Sequence, residues 1–433
     1  MFEVFRNAWK IADLRKKILY TLLIVLIFRL GASIFVPFLN SNGIADILGM
    51  NSSDGNLFSY WDQMTGGSLS NGTLFAMSIT PYINASIIVQ LLTVAIKPLE
   101  RLAKEGDEGR KKLNKINKFV ALGLAIFQAI AFYITLRNGG VVNYTSGFSS
   151  VLAAITIVAC FVAGASLIIW LGDQISEKGI GNGISIILFA GIVSRLPDNI
   201  YNLIQEMKTG VANKILVPII LVIYVAMITL VVLMTNAERR IPVQYAKRVV
   251  GRKMYGGQST YIPIKVAMSG VMPIIFAMSI MSLPSTICYF FGIDGRGTSF
   301  WDGVVRLFST SSWLYAILYF ILIIGFNYFY VAIQYNPIEI ANNLKKNNGA
   351  IPGYRPGQPT ADFIRNSLNK ITLIGAIFLG FIAIFPIIFQ NLSGIRGLSL
   401  GGTTMLIIVG VALETMRTLE SQMMMRHHKG FLE

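Results

Sequence analysis

Ten stretches of about 20 largely apolar residues dominate the sequence, at roughly 18–37, 74–96, 119–136, 151–171, 184–205, 215–235, 263–291, 313–335, 371–390 and 400–418. A helix needs about that length to cross the ~30 Å hydrocarbon layer of a bilayer. The strands of a membrane β-barrel would be shorter and alternating, so helices are the predicted spanning form. Composition agrees: 54% of the 433 residues are hydrophobic and 13% charged, against roughly 25% charged in soluble domains. An ordinary soluble enzyme, a disordered chain and a collagen-like chain are excluded on these grounds.

The few charges are lopsided, 37 Lys and Arg against 21 Asp and Glu, a formal net of +16. Such a balance raises nucleic acid as a partner, but placement favours a basic membrane face. With the N-terminus inside and the spans alternating, 29 of the 37 basic residues fall in inner segments and 7 in outer ones. That asymmetry predicts both termini on the cytoplasmic side. Arg29 is the one basic residue counted to a span rather than to an inner or outer segment, as a gate or as a tether to carbonyls or a neighbouring helix. Residues 1–17 are expected to form an amphipathic surface helix, and 419–433 a charged tail. Trp61, Trp170, Trp301 and Trp313 fall in outer links or at span ends, as an aromatic belt would. Cys160 and Cys288 lie within apolar runs, without metal-binding or disulfide-framework spacing.

Ten spans divide into halves of five, 18–205 and 206–418, and an odd number per half makes the halves inverted. The irregular spans then pair. The second and seventh each carry an early proline, Pro81 and Pro273. The fifth and tenth are strongly apolar only over Ile184–Val193 and Met405–Leu413. Matched irregular segments in inverted halves point to a central pathway.

Catalytic groups are missing from that pathway. The two histidines, His427 and His428, lie in the tail, and the nearest acidic residues, Asp173 and Glu414, are at span edges. No intramembrane protease site or proton relay can be assembled, so no enzyme, cofactor or metal is expected. Gly179–Gly183 lacks the Lys-Ser/Thr of a phosphate loop and reads as a flexible start to the fifth span. Any driving energy must come from outside the chain.

Two inner links are long and basic. In 236–265, seven Lys and Arg face one acidic residue, and Ile241, Val243 and Tyr245 alternate as in a short strand. In 336–370, prolines and glycines place Arg355 on a tight exposed turn. Topogenic charge alone needs no such order, so a docking surface competes with that simpler reading.

The chain resembles the SecY family, the channel subunits of the bacterial Sec translocase. The resemblance rests on Ser78–Thr93 (SITPYINASIIVQLLT), Lys104–Arg110 (KEGDEGR), Trp170–Ile184 (WLGDQISEKGIGNGI), Tyr245–Arg248 (YAKR) and Gln258–Thr260 (QST). It continues with Gly270–Phe276 (GVMPIIF), Asn343–Lys346 (NLKK), Ile351–Gly357 (IPGYRPG) and Gly401–Thr403 (GGT), all in family order. It implies an all-α polytopic membrane protein with ten transmembrane helices, in two inverted five-helix halves around a central hourglass pore. A pore ring would be formed by Ile79, Ile83, Ile184, Leu188, Ile275 and Ile407. About 57–73, including Ser59, Tyr60, Trp61, Gly66, Gly67 and Ser68, would be a plug, a short helix folded back into the outer funnel. Gln90 and Thr93 would help close a lateral gate between the second/third and seventh/eighth spans. Arg239, Arg240, Lys247, Arg248 and Arg355 would face the SecA motor ATPase or the RNA of the ribosomal exit tunnel.

The implied function is a gated protein-conducting channel, without enzymatic activity of its own. It would pass unfolded signal-peptide-bearing chains across the cytoplasmic membrane and release apolar helices into lipid. SecE and SecG would be its small membrane partners. The alternative, an inverted-repeat solute transporter, needs polar binding groups at mid-membrane.

Overall fold

The computed structural model describes residues 2–40, 43–48, 57–144, 147–208, 216–245, 248–250, 253–255, 259–268, 270–290, 300–308, 312–393 and 402–429. Each of the ten predicted segments holds a helix. α1 (Phe2–Lys10) precedes the first, α2 (Ala12–Gly31), and α3 (Ile44–Ile47) and α4 (Leu57–Thr65) follow it. Next come α5 (Thr80–Ala95), the basic α6 (Lys97–Lys104), α7 (Asp107–Asn138), α8 (Phe148–Lys178) and α9 (Gly183–Lys208). The sixth to tenth are α10 (Leu216–Asn236), α11 (Met272–Phe290), α13 (Trp313–Gln334), α15 (Gln358–Ser393) and α16 (Gly402–Lys429). α12 (Phe300–Leu307) and α14 (Pro337–Lys346) lie between them.

Among the described residues, five helices are by themselves long and apolar enough to cross a membrane. α5 has 16 residues, and the chain bends by 102° between it and α6. α2 carries Asp13, Arg15, Lys16 and Lys17 at one end. Its opposite stretch exposes Leu22, Leu23, Leu26 and Leu30, a face that suits lipid rather than water. The chain is an all-α polytopic membrane protein with a small amount of sheet.

The two prolines open helices rather than kink them. Pro81 and Pro273 are the second residues of α5 and α11, where a missing N–H costs nothing. Before α5, the buried Ser78 is held at φ 47°, in the left-handed region. Phe75, in the same turn, stacks on Phe28 of α2 at 5.6 Å between ring centroids. The first nine helices meet the rest along two seams: α11 packs on α5 and α7, and α16 on α9 and α1.

The strands belong to the two long basic links. β1 (Glu238–Tyr245) pairs antiparallel with β4 (Ser259–Lys265), in the alternation read from the sequence, with Ile241 and Val243 buried. β5 (Gly349–Ala350), from the second link, adds to the other edge of β1. β2 (Arg248–Val250) and β3 (Lys253–Tyr255) form a separate pair. Ile241, Val243 and Ile264 of the sheet share a core with Leu344, Ile351, Ile364 and Leu368, so both links form one folded platform.

Trp61 departs from the aromatic-belt expectation. It packs against two apolar cores, whereas Trp170, Trp301 and Trp313 are exposed.

Candidate functional site

Four helices bring together the six aliphatic residues expected to form a ring. Ile79 caps the start of α5 and Ile83 lies one turn on; Ile184 and Leu188 are on α9, Ile275 on α11 and Ile407 on α16. All six lie in one apolar cluster. Ile79 and Ile407 are each 1% exposed and Ile275 is 8% exposed, with Ile83 and Ile184 at the partly buried edge. Glycines permit this closeness. A Cβ on Gly410 would lie 2.9 Å from Val271 on the approach to α11, and one on Gly172 would lie 3.0 Å from Ile184. A collar of this kind gives water and ions nothing to hydrogen-bond.

The turn before α9 is tied down rather than flexible. The Ile180 amide donates to Thr21 Oγ1 (3.2 Å), the Gly183 amide to Ser176 Oγ (2.9 Å), and Asn182 Oδ1 accepts from the Ile184 amide (3.1 Å). Its glycines serve fit instead: Gly181 has φ 71°, and a Cβ on Gly183 would collide with the Gly172 carbonyl.

Next to the collar stands α4, whose Met64 packs against the same apolar cluster. The backbone of Ser59 and Tyr60 lies in α4; their side chains are outside the described residues. The turn after α4 is buried at Thr65 and Ser68. Arg29 reaches it from α2, its Nη1 donating to the Gly66 carbonyl (3.1 Å) and to Ser194 Oγ (3.2 Å). That contact to a carbonyl is of the kind a tether makes, one of the two roles weighed for Arg29. A second arginine was left out of the intramembrane charge count. Arg195, inside the rough bounds of the fifth span (184–205) but counted with the outer charges, lies on α9, which continues through Pro197 to Lys208. Its guanidinium pairs with the Asp62 carboxylate and donates to Ser70 Oγ (3.0 Å).

Where α5 approaches α13, Tyr330 donates from its hydroxyl to Gln90 Oε1 (2.6 Å), across 240 positions of sequence. Phe276 of α11 packs beside that tyrosine, 5.1 Å between ring centroids. Thr93 takes no part in this bond: its hydroxyl donates to the Gln90 carbonyl one turn back (2.6 Å).

On the platform, Arg239, Arg240 and Arg355 are exposed. Arg240 donates to Glu238 (2.7 Å) and lies 4.8 Å from the Tyr261 ring centroid. That carboxylate raises the guanidinium's pKa further above its already high ordinary value. Arg355 is carried on a turn pinned by Thr360 Oγ1 donating to its carbonyl (2.8 Å), with the Tyr354 and Phe363 rings 4.3 Å apart beside it. Lys247 lies outside the described residues, as does the side chain of Arg248, whose backbone is in β2.

The SecY family model matches residues 73–416. The chain belongs to the SecY family. It is 42% identical to the protein translocase subunit SecY of Mycobacterium tuberculosis over 446 residues, covering 100% of both chains. The Thermotoga maritima protein of that name is 41% identical, with 100% of this chain and 98% of the relative covered. Solved structures share the fold. One, of the SecY protein whose plug domain stabilizes the closed state of its translocation channel, aligns with a TM-score of 0.67 at 20% identity, covering 94% and 92% of the two chains. Sec61 in the canine ribosome-channel complex aligns with a TM-score of 0.62 at 21% identity, covering 94% and 92%.

Sequence reasoning missed three contacts of this SecY-family chain: the Arg195–Asp62 pair, the Tyr330 partner of Gln90, and the β5 strand. The signal available for the first was a lone acidic residue in a Gly/Ser-rich segment and an arginine just past an apolar run.

Proposed function

We propose that the chain is the protein-conducting channel of a bacterial cytoplasmic membrane, with both termini on the cytoplasmic side. It passes unfolded secretory chains outward and releases apolar helices sideways into lipid. The observation that carries this reading is the wholly aliphatic collar, drawn from α5, α9, α11 and α16 and overlain by α4. Ile79, Ile83, Ile184, Leu188, Ile275 and Ile407 act as the ring. It seals by giving ions no partner and widens around a passing chain because no polar bond must break. The segment 57–73 acts as the plug, and Gln90 with Tyr330 holds the lateral gate. A solute transporter would need polar groups at that waist, and the six ring positions have none.

The partners follow from the same reading. SecE and SecG flank the bundle, signal peptides enter at the lateral gate, and the platform receives SecA or ribosomal RNA. Arg239, Arg240, Lys247, Arg248 and Arg355 supply the positive charge, and ribosome contacts of this kind weaken with salt. The test is reconstitution into vesicles with the small subunits, the motor ATPase and a radiolabelled precursor. ATP-dependent protection of the precursor from protease is expected, and Arg355→Glu abolishes it while leaving the amount of channel in the membrane unchanged. No protection with the parent chain overturns the proposal; full protection with the variant removes Arg355 from the docking surface.

A further inference from the structure

The segment proposed as the plug is seated by contacts of two different kinds. The polar contacts described for it beyond its own loop reach helices that precede residue 209, through Arg29 on α2 and Arg195 on α9. Its apolar side chains reach the later helices as well: Trp61 and Met64 both pack against the core built from α11, α13, α15 and α16. Separating the two halves would strip the second set and leave the first intact.

The polar seat is closely built. Asp62 is 8% exposed; one carboxylate oxygen accepts from the Ser70 amide (2.7 Å) and the other pairs with Arg195. Ser70 Oγ also accepts from Arg195 (3.0 Å), so the guanidinium clamps both ends of the loop 62–70. Asp198, 3.8 Å away on α9, faces the other side of that guanidinium. Arg29 holds the Gly66 carbonyl and Ser194 Oγ, and Ser194 in turn donates to the Gly191 carbonyl (2.7 Å).

Three glycines leave the room. Gly66 and Gly67 have φ 68° and 89°, and Cβ atoms there would lie 2.7 Å from Ser194 Oγ and 2.5 Å from Arg195 Nη2. A Cβ on Gly191 would run into the Met64 carbonyl. The seat also holds one group at a cost, because Gln63 Oε1 is buried without a hydrogen-bond partner among the described residues. Release into water would satisfy it, which opposes the ion pair and suits a segment with two positions.

We infer that Arg195 and Arg29 form a latch holding the segment 57–73 on the collar, with the Arg195–Asp62 pair as its decisive contact. This rests on the channel reading above. Arg195 and Arg29 are positioning residues: they set how often the passage is closed at rest and are not among the six ring positions.

The test uses the chain with its small subunits in planar bilayers. Asp62→Asn and Arg195→Gln are each expected to raise resting conductance on the order of tenfold. The double variant is expected to leak no more than the leakier single one, since both remove the same contact. A parallel readout places cysteine at Ser68, 1% exposed in the seat, with Cys160 and Cys288 replaced by Ala. A membrane-impermeant maleimide should label it slowly in the parent and rapidly in Asp62→Asn. Quiet bilayers with unchanged labelling, or additive leak in the double variant, overturn the latch. Precursor translocation by these variants is measured alongside, so that a failed latch with normal transport is distinguished from a failed channel.

Discussion

In the channel proposed above, the aliphatic collar and the seat of segment 57–73 would close the same passage by opposite physics. The collar is made of branched aliphatic side chains from both halves of the chain, and those six side chains carry no group that can form a hydrogen bond or ion pair. The seat 57–73 is fixed by an arginine–carboxylate pair, two guanidinium contacts to backbone and hydroxyl, and glycine surfaces that fit only one way. The first closure conforms to whatever lies within it. The second exists in one geometry and must be broken to open. A channel for chains of arbitrary sequence needs the first kind where the chain passes and the second where a resting state must be defined.

The comparison predicts opposite tolerances. Replacing Ile83 and Ile275 together with Ser puts hydroxyls into the collar, and resting ion conductance is expected to rise by about tenfold or more, equivalent to ~1.4 kcal/mol of barrier. Exchanging Ile275 for Val should leave conductance unchanged, because the collar needs only aliphatic bulk. The seat should reject comparably small changes. Gly191→Ala, a single methyl, should dislodge the segment 57–73 and speed maleimide labelling at position 68 severalfold. Arg195→Lys should behave like Arg195→Gln, since one ammonium cannot reproduce the planar fork that serves Asp62 and Ser70. A smaller effect is expected at the proposed lateral gate. Tyr330→Phe removes one hydrogen bond, a net of about 1 kcal/mol, and should favour signal-peptide crosslinking at α5 roughly fivefold. Thr93→Val should do almost nothing there, because the Thr93 hydroxyl bonds only its own helix.

The sequence disclosed the parts of this molecule that depend on local pattern. Apolar length located a helix in each of ten segments, and alternation at Ile241, Val243 and Tyr245 announced β1. The six ring positions show only i,i+4 or isolated apolar placement, so family resemblance singled them out where periodicity could not. Contacts between distant segments left no trace. β5 is two residues long and carries no period. Tyr330 meets Gln90 across 240 positions and Arg195 meets Asp62 across 133. Arg195 was counted with the outer charges because the strongly apolar run stops at Val193, whereas the helix continues to Lys208 and packs on α4. Apolar length marks a bilayer core; it does not mark where a helix ends.

The central claim, that the collar is the passage, is tested most directly by photocrosslinkers at Ile79 and Ile184, with Leu22 and Ile155 as exposed apolar controls. A secretory chain is stalled midway by a folded C-terminal domain and irradiated. Adducts from Ile79 and Ile184, absent at Leu22 and Ile155, are the predicted result. Adducts from the controls alone, or none from the collar, would contradict it.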